Sequence, residues 1–580
     1  MRPGEAGVVL YDLASRAWWR FARPVKIWRT SLLEEVPRLL GLVEAEARSK
    51  SLYAVGFVTY EAAPAFDPAL KVRASGDLPL AWFGLYHEPV ILEFPVPPAG
   101  PGPDLRWQAT VTPAEYQTQI RRIKQHIQQG HTYQVNYSYR LQTPFRTEAW
   151  DFFTRMVQAQ GCCQGVFLET EDWALCSASP ELFFSLDGTE LVSRPMKGTA
   201  RRGLWLAPDQ DQALQLRQSA KDQAENVMIV DMVRNDLGRV AEYGSVETRS
   251  LFEVERHPTV WQMTSTVRGT TRAGLPEIFR ALFPAASITG APKARTMQLI
   301  AELESTPRGL YTGAMGFFTP SGRAQFNVAI RTVVVQKQRQ MAEYGVGGGI
   351  VWDSTEAGEF QECATKAGIL THQYPEFGLL ETLLWTPPDG YFLLERHLAR
   401  LSESAAYFSR SVELAAIRAK LAECAARLAS GPHRVRLVVP ERGEATVEGQ
   451  KLPLPPENYR VRLARNPVNS LNPFLYHKTT QRRAYAEAQG GAPEVEDVLL
   501  WNEKGELTES CIANLIVERE GRWFTPPVAC GLLAGTYRSV LLEQGQMEEQ
   551  VIAKDDLCQG SQLWLVNSVR GIWRAVLVPA

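Results

Sequence analysis

Eight cysteines and eight histidines are spread thinly over 580 residues, and no two cysteines form a Cys-x-x-Cys pair. That spacing argues against a zinc site or a thiol redox motif and fits a reducing cytoplasm, which is the expected location. Charge of either sign is not in excess, since 62 Lys and Arg oppose 64 Asp and Glu. A chain so balanced offers no basic face to nucleic acid or to a membrane surface. No apolar run is long enough to span a bilayer, and the opening residues, with Arg16, Arg20, Arg23, Lys26 and Arg29 among aromatics, carry no signal-peptide core. Internal repeats and low-complexity tracts are missing too. What remains is ordinary globular composition, 45% hydrophobic and 22% charged, in a chain too long for one core.

Residues 1 to about 105 read as mixed strand and helix, with the apolar run Ala54–Tyr60, and end in a Pro- and Gly-rich loop from Pro95 to Pro103. Thr112-Pro-Ala-Glu115 is a capping box with proline at the first helical position. Tyr116, Ile120, Ile123 and Ile127 form the apolar stripe behind it, and Gly130 is the expected stop. Trp173 to Leu186 is strand-like. A second cap, Ser219-Ala-Lys-Asp222, predicts a helix through Leu237 with Glu225, Met228, Met232 and Asp236 on one side, where a half-buried acid needs a partner. Phe326 to Val335 alternates as a strand, which makes Arg331 project from a sheet face. The pattern breaks over Thr371–Phe377, dividing the chain into 1–372 (1–105 and 106–372) and 373–580.

Within this framework Arg194 to Arg202 holds Lys197 between Pro195, which fixes φ, and Gly198, which permits close backbone approach to a ligand. Such a lysine is a nucleophile if its pKa falls and a surface charge otherwise. Gly347-Gly-Gly349 exposes amides to a ligand, and a helix opening near Asp353–Glu356 places Glu359, Glu362 and Lys366 on one face. Those carboxylates form either a solvated ladder or half of a Mg²⁺ site.

Taken in order, Tyr-Gln-Val-Asn, Ser-Ala-Ser-Pro-Glu, Arg-Pro-x-Lys-Gly-Thr, Lys-Asp-x-Ala-Glu-Asn, Ser-x-Thr-Gly-Ala-Pro-Lys and Gly-Glu-x-x-Glu resemble the chorismate-utilising enzymes. These are the anthranilate, aminodeoxychorismate, isochorismate and salicylate synthases. The resemblance implies an anthranilate-synthase-like two-sheet α/β sandwich around one Mg²⁺-dependent site. Glu225 and Glu362 would hold the metal, which holds a carboxylate of chorismate. Arg331, Lys366, Gly348, Gly349 and Thr289 would fix the substrate, and His257 would lie near its ring or act as an ordinary core histidine. Glu181 would protonate the departing 4-hydroxyl, for which its pKa must be raised. Lysine at position 197 marks the aminodeoxychorismate formers, where it adds at C2 so that ammonia attacks C4; anthranilate formers carry a small residue there. Gln134 replaces the basic lysine of isochorismate and salicylate formers. In relatives the N-terminal part completes the sheet and can hold tryptophan, as inhibitor or as structural ligand, which makes tryptophan a candidate ligand of residues 1–105 here.

The second half resembles the class IV pyridoxal-phosphate enzymes, which are branched-chain and D-amino-acid aminotransferases and aminodeoxychorismate lyase. The resemblance rests on Lys478 in His477-Lys-Thr-Thr480, Thr508-Glu-x-x-x-x-Asn514 and Gly535-Thr-x-Arg538. It implies a fold-type IV domain binding pyridoxal 5′-phosphate, with Lys478 as the Schiff-base lysine and Glu509 on the pyridine nitrogen. Arg400, Gly535 and Thr536 would hold the phosphate. The whole is then an α+β multidomain enzyme that aminates chorismate and releases pyruvate to leave p-aminobenzoate. The alternatives are a class IV aminotransferase, an anthranilate-forming first half or a non-catalytic, regulatory first half. Gly161-Cys-Cys-Gln-Gly165 fits a glutaminase elbow, but Thr259 stands where that family has glutamate. Ammonia is therefore expected from a separate glutamine amidotransferase subunit or from solution.

Overall fold

A computed structural model describes residues 7–93, 102–161, 163–371, 375–453, 459–490, 494–557 and 560–579. Most of the Pro95–Pro103 loop, part of the Thr371–Phe377 break, Cys162 of the elbow sequence and Cys558 lie outside them. The chain forms two units, residues 1–201 with 213–374, and residues 202–212 with 375–580.

Two antiparallel sheets make the first unit, each of ten strands among the described residues. Residues before 105 feed both: Val8–Asp12, Ala17–Phe21 and Val90–Leu92 join one sheet, and Lys26–Thr30, Tyr53–Val58 and Ala81–Tyr86 the other. The capping box is formed, since the Thr112 amide donates to Glu115 Oε2 at 2.7 Å and the Glu115 amide to Thr112 Oγ1 at 3.3 Å. It starts the helix Pro113–Gln128, whose Tyr116, Ile120 and Ile123 are fully buried. The second cap starts the helix Ala220–Gly238, and the partner of Asp236 is Lys293 at 2.6 Å.

Two expected strands prove to be four. Trp173–Ser179 belongs to one sheet and Leu182–Asp187 to the other, and likewise Thr332–Gln336 and Ala324–Val328. The chain changes sheet at residues 180–181 and again at 329–331, and the two crossings are bonded to each other. The Val328 amide donates to the Glu181 carbonyl (3.1 Å), and the Ala178 amide to the Arg331 carbonyl (3.1 Å). Alternation continues through each crossing, so the sequence pattern does not register the switch. Arg331 therefore does not project from a sheet face. It occupies the corner itself, at φ +50°.

In the second unit a four-stranded antiparallel sheet is built on Leu379–Thr386 and His433–Val439. An eight-stranded mixed sheet, counted among the described residues, includes Leu507–Ser510 and Asn514–Arg519. Residues 202–212 are part of this unit. Arg202 grips buried Asp209 with two bonds (2.6 and 2.7 Å) and donates to the Tyr407 carbonyl (2.9 Å). Trp205 stacks on Tyr476, with ring centroids 5.0 Å apart. No helix among the described residues is long and apolar enough to cross a membrane.

Candidate active sites

A cavity of about 370 Å³ in the first unit is lined by Glu181, Lys197, Glu225, Arg331, Gly347, Gly348, Gly349, Glu359, Glu362 and Lys366. The paired crossings deliver Glu181 and Arg331, the strand Met196–Arg201 delivers Lys197, and the helices Ala220–Gly238 and Glu356–Ala367 deliver the other charged groups. The three glycines lie in the strand Met341–Ile350, and their value is clearance. A Cβ on Gly349 would stand 2.6 Å from Lys197 Nζ and 2.5 Å from Gln134 Nε2, and one on Gly348 2.9 Å from Glu359 Oε2. Any side chain there would displace the groups that face the cavity.

Electrostatics separate the roles these groups can play. Burial pushes the Glu181 carboxyl up to about 7, against the Ser287 hydroxyl that donates to it and the nearby Lys197. Burial likewise lowers Lys197, opposed by Glu225, so the ammonium is a readier source of neutral amine than a surface lysine. Lys366 lies 2.7 Å from Glu362. Burial works against the Lys366 charge, yet Glu362 outweighs it and the ammonium is held above its usual range. Lys366 in turn holds Glu362 low. Burial raises Glu225 and Glu359.

Three expected residues stand apart from the lining. Gln134 is fully buried beside Gly349, and neither its amide nitrogen nor its oxygen has a partner among the described residues. Such unsatisfied atoms suit a ligand. Thr289 is buried and turns its hydroxyl to the Ala286 carbonyl (3.1 Å). His257 is buried with Nδ1 3.1 Å from Gln160 Nε2, and the Gln160 oxygen accepts from Arg331, so it reaches the cavity through a relay. Asn136, of the Tyr-Gln-Val-Asn motif, also lines the cavity, its oxygen 3.4 Å from Lys197 Nζ.

Magnesium fits this donor set in kind, being a hard cation that takes carboxylate oxygens and keeps several waters. No three Asp, Glu, His or Cys side chains among the described residues are grouped to hold a metal. Glu225 and Glu362 would thus supply part of the shell, with water and substrate oxygens completing it.

In the second unit a cavity of about 250 Å³ is lined by Lys478, Glu509, Arg400, Gly535 and Thr536, all of them expected. Burial lowers Lys478 to about 8, and Arg400 adds to the effect. Burial raises Glu509 to about 7, against hydrogen bonds from Tyr485 (2.7 Å) and the Leu533 amide (3.2 Å). Thr536 opens the helix Thr536–Glu543, and a Cβ on Gly535 would meet Asn514 Oδ1 at 2.0 Å. A helix start, a guanidinium and a glycine clearance suit the phosphate of pyridoxal 5′-phosphate. No sequence signal pointed to Glu381. It is buried, takes two hydrogen bonds from Arg400 (2.9 and 2.7 Å), and lies 2.7 Å from His397 Nδ1.

Residues 16–372 match the family model described as chorismate binding enzyme. The chain belongs to that family. Residues 378–578 of this chorismate-binding enzyme match the family model described as amino-transferase class IV, so two family matches follow one another on one polypeptide. Aminodeoxychorismate synthase component 1 of Salmonella typhimurium is 39% identical over 46% of the chain and 59% of its own length. Anthranilate synthase component 1 3 of Haloarcula marismortui is also 39% identical, over 44% of the chain and 51% of its own length. The chain spans about three fifths or less of these relatives. Anthranilate synthase component I of Streptococcus pneumoniae shares the fold, with a TM-score of 0.51 at 23% identity over 64% of this chain and 91% of its own. Equal identity to two kinds of synthase leaves the choice between them to individual residues.

Proposed function

We propose that the first unit aminates chorismate at C4 to give 4-amino-4-deoxychorismate, and that the second eliminates pyruvate from this product to leave p-aminobenzoate. The observation that carries the reading is Lys197, half-buried at the cavity wall with a lowered pKa beside a Glu181 raised to about 7. The Lys197 amine adds at C2 while both ring double bonds shift and the 4-hydroxyl departs. Protonated Glu181 donates to that oxygen, which leaves as water. Ammonia then attacks C4, both double bonds return, and the C2 bond to Lys197 breaks. Arg331 and Lys366 face the substrate carboxylates, and Gln134 offers its unpaired amide. Bound magnesium, held by Glu225 and Glu362, supplies positive charge to a carboxylate of chorismate. A separate glutamine amidotransferase subunit is the proposed ammonia source, because free ammonia is mostly protonated at neutral pH.

Bound pyridoxal 5′-phosphate supplies an electron sink in the second unit. Lys478, its amine held near 8, moves the ring C4 proton, Glu509 holds the pyridine nitrogen, and Arg400 with Gly535 and Thr536 anchors the phosphate. Loss of pyruvate leaves an aromatic ring, which supplies the driving force.

The test supplies purified protein with chorismate, Mg²⁺, pyridoxal phosphate and an ammonium salt at mildly alkaline pH. p-Aminobenzoate is the expected product, and anthranilate would overturn the role given to Lys197. Lys478→Ala should stop the sequence at 4-amino-4-deoxychorismate. Transfer of an amino group from a branched-chain or D-amino acid, without pyruvate release from that compound, would make the second unit an aminotransferase instead.

A further inference from the structure

The cavity of the second unit carries more positive charge than its cofactor uses. Besides Lys478 and Arg400, three guanidinium side chains line it, those of Arg434, Arg482 and Arg570, and among the described residues the only acid in the lining is Glu509. Arg400 is committed to Glu381 and to the Ala534 carbonyl (3.1 Å). None of the other three bonds to a charged group among the described residues, although Arg482 lies near enough to Glu509 to help hold that carboxyl down. Arg434 donates to Gln450 Oε1 at 2.8 Å. Arg482 donates to the Cys511 carbonyl, and its guanidinium lies 4.2 Å over the Tyr485 ring. Arg570 lies 5.9 Å over the Trp573 ring, near the Tyr459 phenol. None of the three has a carboxylate within ion-pair distance among the described residues, whereas Arg483, next to Arg482, is taken by Glu487 at 2.7 Å.

We propose that Arg434, Arg482 and Arg570 form the receiving site for the substrate's two carboxylates, and that this site selects a ring dicarboxylate over an amino acid with an apolar side chain. The proposal rests on the lyase reading above and deepens it. A branched-chain substrate brings one carboxylate and an aliphatic group. Closing such a group over several unpaired guanidiniums strips their water and returns nothing. 4-Amino-4-deoxychorismate brings one carboxylate on the ring and another on the enol ether, well separated. Fixed forks on different strands and loops match that demand better than lysines would. The apolar remainder of the lining, Leu380, Leu452, Pro453, Ile512 and Val566, offers surface to the ring.

The experiment uses the full chain loaded with pyridoxal phosphate and compares Arg434→Gln, Arg482→Gln and Arg570→Gln. Steady-state kinetics on 4-amino-4-deoxychorismate should show KM raised about tenfold to a hundredfold in each variant, the loss of one charge-assisted contact, with kcat within about threefold. The cofactor absorption spectrum should be unchanged, and arginine-to-lysine versions should restore part of the loss. In a second measurement, a stable aromatic mimic, benzoate carrying an O-linked acrylate ether at the 3-position, is titrated calorimetrically against plain benzoate. The dicarboxylate should bind at least about thirtyfold tighter to the parent, and the gap should shrink in each glutamine variant. Pyruvate release with KM unmoved in all three variants, or an unchanged gap, overturns the proposal and leaves the lyase reading standing. Branched-chain transamination with no pyruvate release overturns the lyase reading itself.

Discussion

The ammonium of Lys366 stands 2.7 Å from the carboxylate of Glu362, one helical turn away on Glu356–Ala367. Both are proposed ligands, one for substrate and one for metal, and without either they satisfy each other. Metal entry must break this pair. Lys366→Gln should therefore tighten the apparent Mg²⁺ requirement while raising KM for chorismate, and Glu362→Gln should weaken Mg²⁺ by at least about tenfold. Activity titrated against Mg²⁺ at fixed chorismate distinguishes them; equal effects of both substitutions would contradict the scheme.

Lys197→Ala should cut p-aminobenzoate formation by at least about a thousandfold, as loss of a covalent nucleophile does. Under the proposed scheme the second unit should still process added 4-amino-4-deoxychorismate, which is the control. Product analysis after prolonged incubation shows whether amination at C2 takes over.

Glu181 gives a stability test with a defined sign. Its folded pKa is raised from 4.5 to about 7. The folded state therefore keeps a proton that the unfolded chain gives up, and stability falls as pH rises from about 4.5 to about 7. Glu181→Gln removes that loss. The variant should melt higher than the parent at pH 8, by a margin worth on the order of 1–3 kcal/mol, and the difference should shrink below pH 5. On activity the sign is independent: a catalytic acid with this pKa makes the synthase rate decline as pH rises past about 7, and the glutamine variant should lose that limb.

In the second unit, Glu381 is held down to about 2 despite burial, because Arg400 and His397 surround it. Its contribution is present above the ordinary carboxylate pKa and is lost as pH falls toward 2. Glu381→Gln leaves a half-buried guanidinium short of its counter-ion, so pyridoxal phosphate should dissociate at least about tenfold more readily, which fluorescence titration of the cofactor reads directly.

Local chemistry was legible in the sequence wherever the cause was local. Thr112, Glu115 and Ser219 announce helix starts because a cap is made within four residues, and Tyr116, Ile120 and Ile123 announce their face by period. The motif order names Glu181, Lys197, Glu225, Glu362 and Lys366, and these five line one cavity. What stayed hidden depends on partners distant in the chain. Two alternating stretches each read as one strand, since nothing in alternation marks a change of sheet, and the corner that aims Arg331 lies in that change. Gly348 and Gly349 read as backbone donors, yet they are small because Glu359 and Lys197 need the volume. Glu381 in an apolar run, Leu379-Leu-Glu-Thr-Leu-Leu, carries no signal until Arg400 and His397 are folded against it.

Arg202 donates to the carbonyl of Tyr407, 205 residues further along the chain. During synthesis the segment 202–212 therefore leaves the ribosome with its buried ion pair and Trp205 unsheltered. It must wait roughly 10 to 40 seconds at ordinary elongation rates before Tyr407 exists to receive it. An exposed tryptophan next to an unfinished domain is a chaperone target. A gene cut at residue 375 makes the wait permanent: the downstream fragment would fold with the faces of Tyr407 and Tyr476 uncovered, and the upstream one would carry a segment with nowhere to go. For a fusion of two enzymes, the join is thus written twice in the sequence, once at the boundary and once inside the upstream partner.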